Sequence, residues 1–391
     1  MGFCFLSSGL LMAQETWSPK WDMPNGLKEI TDATTVLDGN IYVLGGTNDS
    51  GVITNAFNMY DPAVDLWFPL PSYPLSVWRA SMEVVDGIIY AFGGYESLGP
   101  FPFSPTNKAF SFDPATNQWT PIMDLPISRG SAASGVVGSN IHLIGGANAS
   151  GALNLHQVYS PFTDSWTTYA PMSTERSGLT ASVIGDLIVV AGGYFLSGGV
   201  QSLNSAEVYN PNTDIWSPIS SMPFTKLGVT SAAVLFNMYV FGNESSTNVL
   251  EYNTLTDQWQ ILGDMPSNVN FAGAESIDGI IYLMGGGAIN LITDGISTVN
   301  CFNPEVLSVS DNLSNSRLLV SNVGVLFSLI PNTNLDFKSI EIFNAAGFRV
   351  DYGGKETANI WNASAFKEGI YFIVFQLQEG HKITKKVIVK K

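Results

Sequence analysis

Basic residues, histidine, cysteine and long apolar runs are all scarce in this chain, and each shortage removes a class of function. The 391 residues contain 17 Lys and Arg against 33 Asp and Glu, and only seven of those cations precede residue 306. Nucleic-acid recognition draws mainly on clustered Lys and Arg, so a nucleic-acid partner is set aside. Of three histidines, only His142 and His156 precede residue 306. Both read as packing residues on strands, which leaves no metal-ligand set and no catalytic triad. With Cys4 and Cys301 the only cysteines, no disulfide framework exists. Cys301, beside Phe302 on an expected strand, reads as a small core hydrophobe. No later run approaches the roughly 18 apolar residues of a membrane helix, and no cofactor motif is present, so neither a transmembrane segment nor a cofactor is expected.

What the chain has in abundance is period. Glycine doublets recur at Gly45-Gly46, Gly93-Gly94, Gly145-Gly146, Gly192-Gly193 and Gly285-Gly286, with Gly242-Asn243 as a degenerate member. After each of the first five comes an aromatic and, seven residues later, a Trp: Tyr60 and Trp67, Phe112 and Trp119, Tyr159 and Trp166, Tyr209 and Trp216, Tyr252 and Trp259. The sixth unit has its aromatic, Phe302, but Val309 where the Trp belongs, and the missing Trp has a counterpart in Trp17. Trp17 is followed seven residues on by Pro24, as most repeat Trp residues are followed by Pro74, Pro126, Pro223 or Pro266. A period near fifty residues built from short β-patterned runs marks an array or a propeller. A first segment that completes the last unit selects the closed ring.

Residues 79 to 126 serve as a template for one unit. Ser81 to Val85 predicts a strand of mostly small residues, Asp86-Gly87 a tight turn, and Ile88 to Phe92 a buried strand ending at the doublet. A third strand through Ala109 to Phe112, a turn at Asp113 to Asn117 and a fourth strand with Trp119 complete a four-stranded blade. Small first-strand residues suit six strands converging on one axis. The Tyr residues before the doublets (Tyr42, Tyr90, Tyr239, Tyr282) and the Trp series are expected to pack between blades.

Two ends flank the ring. The stretch from Phe3 to Ala13 is apolar, of signal-peptide length and ends in a small residue, so residues 1–13 are read as a signal peptide although no Lys or Arg precedes Lys20. The repeat ends near residue 305, where the balance changes from 7 basic and 26 acidic residues to 10 and 7, which supports a domain break. Residues 14–305 form the expected ring, and residues 306–391 an expected small β-sandwich with strands at Ser339 to Phe343, Gly369 to Phe375 and Lys382 to Lys391. The lysines of the last strand guard a sheet edge.

With these elements in register, Asp-Gly-x-Ile-Tyr-x-x-Gly-Gly and Tyr-Asp/Asn-Pro-x-Thr-Asp-x-Trp followed by Met-Pro and a basic residue, residues 14–305 resemble the kelch family closely. The resemblance implies an all-β fold, a six-bladed kelch β-propeller closed by an N-terminal strand, plus the small C-terminal β-sandwich; it implies no single activity. The C-terminal block resembles the type IX secretion sorting domain of Bacteroidetes, through Ile340 to Val350, Gly369-Ile370-Tyr371-Phe372 and the terminal Lys-Lys-Val-Ile-Val-Lys-Lys. That resemblance implies an export address, with export machinery as a partner and a secreted or outer-surface location.

Candidate site residues follow from antiparallel order, which puts the loops between second and third strands on the same face as the blade-linking segments. Five cations, Lys28, Arg79, Arg129, Arg176 and Lys226, fall in those linkers. They read either as a cationic collar for a carboxylate or sulfate-bearing ligand, or as braces for a neighbouring loop. On the same face Trp78, Tyr95, Phe101, Phe103, Tyr194 and Phe195 suit a glycan or protein ligand, or pack their own loops. Glu83 and Glu275, ten residues before their doublets, point toward the channel from blades that flank blade one; they read as a general acid/base pair or as water-lined filling. The expected function is ligand binding by a secreted propeller without catalysis. The alternative is an acidic-sugar mutarotase or epimerase, since the architecture is similar to that of bacterial sialic acid mutarotases.

Overall fold

The computed structural model describes residues 16–98, 103–196, 199–242, 246–288 and 295–304, together with strands and short segments between residues 319 and 389. The expected signal peptide at residues 1–13 lies outside the described residues.

Six antiparallel sheets form the ring, each with four strands in radial order, and the third carries the short extra strand Gly151–Ala152. Their innermost strands are Thr34–Leu37, Ser81–Val85, Gly130–Val137, Thr180–Ile184, Thr230–Val234 and Gly273–Ile277, taken here as blades 1 to 6. Each innermost strand contacts its two neighbours and the sixth contacts the first, so the ring closes on itself. In blades 1 to 5 the strands leave the axis in chain order. Blade 6 takes its outermost strand, Thr16–Lys20, from the start of the chain: Trp17 lies opposite Phe302 and Lys20 opposite Val299. The Trp17 indole stacks on Phe302 at 4.8 Å and meets Phe241 of blade 5 edge-on at 6.0 Å. Blade 6 therefore holds the first and last strands of the ring in one sheet, and no sheet edge is left between them.

The glycine doublets explain the repeat. Both glycines of a doublet have positive φ, 63° and 84° at Gly45 and Gly46, and the second donates its N–H to the linker that leaves the blade, as Gly46 does to the Val77 carbonyl at 2.8 Å and Gly94 to that of Arg129 at 3.0 Å. A Cβ on Gly45 would stand 2.4 Å from the Val77 oxygen, so neither conformation nor space admits another residue.

Farther out a second device ties blade to blade. Tyr159 Oη donates to Asp164 at 2.7 Å; Asp164 also accepts the Met123 N–H at 2.7 Å, and Trp166 Nε1 donates to the Met123 carbonyl at 3.1 Å. The arrangement recurs with Tyr209, Asp214, Trp216 and Ala170, and with Tyr252, Asp257, Trp259 and Ser220. The repeat Trp residues are half-buried rather than fully buried, because each must stand at the ring's rim to reach the preceding blade.

Among the described residues after 304, Leu319–Val323, Leu326–Ile330 and Ile360–Asn362 form one three-stranded sheet, and Phe337–Asn344, Gly369–Leu377 and Lys382–Val389 another. The chain is all-β, and no helix among the described residues is long and apolar enough to cross a membrane.

Candidate functional site

The channel mouth is set by backbone conformation in the linkers. Before each innermost strand, or at its second residue in blade 3, one residue adopts positive φ: Glu29, Arg79, Ser131, Gly178, Gly228 and Phe271. The N–H of Arg79 donates to the Glu29 carbonyl, Ser131 to Arg79, Gly178 to Ser131 and Phe271 to Gly228, at 2.8–3.0 Å, and Ile30 donates to Phe271 at 3.1 Å. The result is a collar of peptide groups around the axis on the loop face.

Blade 1 departs from its siblings inside this collar. Thr35 and Glu83 are equivalent, each lying opposite a Tyr (Tyr42, Tyr90), yet the segment from Glu29 to Thr35 is two residues longer than that from Arg79 to Glu83. The lengthened segment, Ile30 to Asp32, fills the mouth. The Thr31 carbonyl accepts from Thr230 of blade 5 at 3.3 Å, and the Asp32 carbonyl accepts the Met82 N–H of blade 2 at 2.8 Å. Asp32 Oδ1 accepts the Ser134 N–H of blade 3 at 3.3 Å, so one short segment spans three blades across the axis.

Asp32 in this plug and two acids below it, Glu83 and Glu275, bring three half-buried carboxyl groups to the axis. Ser134 Oγ stands 2.8 Å from Asp32 Oδ2 and 2.8 Å from Glu83 Oε1, and Thr34 Oγ1 donates to Glu275 Oε1 at 2.8 Å. Burial raises Asp32 to about 7, against the lowering effect of hydrogen bonds from Ser134 and Ser81. Glu83 is raised well above its ordinary value by burial and by Asp32, and Glu275 to about 7 by burial. Sequence spacing singles out Glu83 and Glu275 but misses Asp32 and Ser134; the signal available was the longer linker of blade 1 with an acid inside it. Among the described residues no group of three His, Cys, Asp or Glu is placed to hold a metal ion.

The expected cationic collar is corrected by burial. Lys28, Arg129, Arg176 and Lys226 are all buried, at 0 to 1 % exposure, and turn inward to backbone carbonyls. Arg176 donates to the Gly192 and Ser205 carbonyls and pairs with Glu207 at 3.0 Å. Lys226 donates to the Gly242 carbonyl at 2.5 Å, Arg129 to that of Leu143 at 3.3 Å, and Lys28 to that of Ala288. Spacing had put these residues on the right face; it could not show that the carbonyls freed by each glycine turn would draw the side chains inward. Burial lowers Lys226 to about 7 and Arg129 to about 9.

Arg79 is the exception. Its guanidinium lies at the mouth beside Asp32, paired with Glu29, 4.2 Å from the Phe271 ring centre and 4.8 Å from that of Trp78. Tyr194 Oη comes within 3.4 Å of it. Burial opposes its charge, yet Glu29 holds the guanidinium above its ordinary value. Among the expected aromatics, Trp78 and Tyr95 are buried and pack with Phe103, the single Tyr95 hydroxyl hydrogen lying between the Gly130 and Ala147 carbonyls at 3.2 and 3.1 Å. They hold their own loop rather than face solvent. Tyr194 and Phe195 are half-buried, and Phe101 lies outside the described residues. His142 and His156 bond to each other at 2.9 Å in a buried pair, lowered by burial to about 4 and about 3, and therefore neutral at neutral pH.

Beside the mouth, the loop of blade 2 leaves an open groove of about 690 Å³ lined by Glu96, Ser104, Asn107, Lys108, Pro126 and Ser128. Lys108 pairs there with Asp124 at 2.6 Å while half exposed.

Comparison with known proteins agrees with this architecture. Residues 12–193 match the family described as KLHDC2/KLHL20/DRC7 Kelch-repeats domain, residues 175–223 the Kelch motif, and residues 321–390 the secretion system C-terminal sorting domain. Beta-scruin of Limulus polyphemus is 29% identical over 143 residues, 36% of this chain and 15% of that protein. Alpha-scruin of the same organism is 35% identical over 118 residues, 30% of this chain and 13% of that protein. The Kelch-like protein terF of Aspergillus terreus is 34% identical over 120 residues, 29% of this chain and 26% of that protein. The matched stretch thus spans about a quarter or less of each of these relatives. The solved structure of YjhT, at 14% identity, covers 71% of this chain and 95% of that one with a TM-score of 0.61, and so shares its fold. With two overlapping kelch matches over residues 12–223, six blades in one closed ring and a sorting-domain match behind them, the chain is a kelch-repeat β-propeller with a C-terminal domain that resembles the type IX secretion sorting domain.

Proposed function

We propose that this chain is an exported binding module that engages a glycan or protein ligand on its loop-bearing face. The observation that carries the reading is the division of that face: the axial mouth is filled by Ile30 to Asp32, while the polar groove beside Glu96 and Lys108 stands open. Groove-lining groups of both charges, with Lys108 half exposed, offer hydrogen bonds and a salt-screened attraction to a polar ligand. The C-terminal sorting-domain match supports passage across the outer membrane and a secreted or surface location, with export machinery as the partner of residues 321–390.

The acidic-sugar mutarotase reading gains less support. Four of the five cations it would use are buried against backbone, and Glu83 and Glu275 lie beneath the plug, each with one carboxyl oxygen engaged. A glycan array probed with the labelled chain, followed by Glu96→Ala and Lys108→Ala variants, tests the binding reading. Weakened binding with unchanged melting supports it. Accelerated anomer exchange of an acidic sugar, measured by NMR and lost in Glu83→Gln, would replace it with the enzyme reading.

A further inference from the structure

We propose that Asp32 and Glu83 share one proton across the hydroxyl of Ser134, and that this proton latches the Ile30–Asp32 segment in the loop-face mouth, so that its loss opens the channel.

Ser134 Oγ carries a single hydrogen, yet it lies 2.8 Å from a carboxyl oxygen of Asp32 and 2.8 Å from one of Glu83. A hydroxyl donates once and accepts through its lone pairs. Both contacts are hydrogen bonds only if one carboxyl is protonated and donates to Ser134 Oγ while Ser134 donates to the other. With both acids ionised, one contact becomes an oxygen-to-oxygen repulsion between groups that already repel by charge.

The surroundings supply nothing to replace that proton. The innermost strands of blades 3, 4 and 5 bring only uncharged groups to the axis, Ser134, Thr180, Ser182, Thr230 and Ser231 among them. Blade 1 brings Thr34 and Thr35, and blade 6 adds a third carboxyl, Glu275, bonded to Thr34. Above the plug, Arg79 lines the same depression as Asp32 but is paired with Glu29. The three acids therefore meet no unpaired cation in the described channel wall. Burial lifts all three, Asp32 and Glu275 to about 7.

The latched segment binds protons that the open one releases at ordinary carboxyl values, so the latch is complete below the ordinary carboxyl range and weakens as pH rises from there through about 7. The proton passes to solvent, one of the two carboxyls loses its bond to Ser134 Oγ, and the plug is left with the bonds that need no shared proton: Met82 N–H to the Asp32 carbonyl, Ile30 N–H to that of Phe271, Thr230 Oγ1 to that of Thr31, and Ser134 N–H to Asp32 Oδ1.

The Met82 amide reports the latch directly, because it donates to the Asp32 carbonyl. In the full chain, hydrogen-exchange protection at Met82, corrected for intrinsic exchange, is expected to fall by up to about tenfold per pH unit between the ordinary carboxyl range near about 4 and about pH 7, and to level off above it. Glu83→Gln, whose amide donates to Ser134 Oγ without a titratable proton, is expected to keep protection high and flat. Ser134→Ala is expected to lower protection at every pH. Wild-type protection independent of pH, or a Glu83→Gln profile that follows the wild type, would overturn the proposal. Should Glu83→Gln fail to fold, Asp32→Asn carries the same expectation. Infrared spectra of the wild type at neutral pH give a second reading: a carboxylic-acid carbonyl band that shrinks as pH rises is expected, and its absence would sink the shared proton.

Discussion

Arg129 and Arg176 occupy equivalent linker positions, and the single residue opposite each decides how well its charge is satisfied. Arg176 meets Glu207 at 3.0 Å. At the position of Glu207 in blade 3 stands Gln157, and Arg129 keeps Nε and Nη1 without a hydrogen-bond partner while Gln157 Oε1 has none either, all buried. A buried guanidinium without a counter-charge is costly. Gln157→Glu should recreate the blade 4 pair and stabilise the chain by about 1 to 3 kcal/mol in a denaturant melt; no gain would show that Arg129 is already satisfied. This contrast was invisible in the sequence, where all five linker cations looked alike. Spacing fixes which loop a residue occupies, whereas the direction of its side chain depends on carbonyls freed by a turn sixteen residues away, as in Arg176 and Gly192. Glu83 and Glu275 were legible for the opposite reason: on a strand, position alone fixes the face.

Between blades, the Tyr, Asp and Trp staple gives the repeated Tyr-x-Pro-x-Thr-Asp-x-Trp pattern its physical meaning. Blade 2 makes the point by exception. Phe112 has no hydroxyl, Asn117 stands in place of the Asp, and Pro71 has no N–H, so only the bond from Trp119 Nε1 to the Pro71 carbonyl survives, at 3.0 Å. All three absences belong to one missing network, since an Asp there would have neither donor. Trp216→Phe, which keeps an aromatic ring but deletes the 2.8 Å bond to Ala170, should cost about 1 kcal/mol, and a loss near zero would demote the staple to packing alone. The staple acids also oppose the channel acids in pH. Hydrogen bonds from Tyr60 and the Trp21 amide lower Asp65, and one from the Ser220 amide lowers Asp257. Their contribution is present above the ordinary carboxyl range and lost as pH falls through their lowered values. With the channel acids losing theirs as pH rises from the ordinary carboxyl range through about 7, melting temperature should peak in acidic buffer near that range and fall on both sides. A melting temperature that climbs steadily into alkaline buffer would contradict the channel half of this account.

At the scale of the whole molecule, the chain is a ring whose first strand is its last lock, carrying a C-terminal unit that matches a sorting domain. The ring was legible because six registers of glycine, aromatic and Trp must coincide for a propeller to close, and the lone Trp17 supplied the element that Val309 lacked. The plug was not, because two extra residues in one linker look like ordinary loop variation until the axis they cross is known. Closure remains the claim on which the channel, the mouth and the latch all depend. It is tested most directly by the pairing of Ser18 with Cys301, which lie opposite each other across the seam. In a Cys4→Ser, Ser18→Cys chain, a short bifunctional thiol reagent should join the new cysteine to Cys301, leaving the two ends of the ring linked after proteolysis between them. Separate, singly modified peptides from the folded protein would contradict the closed ring.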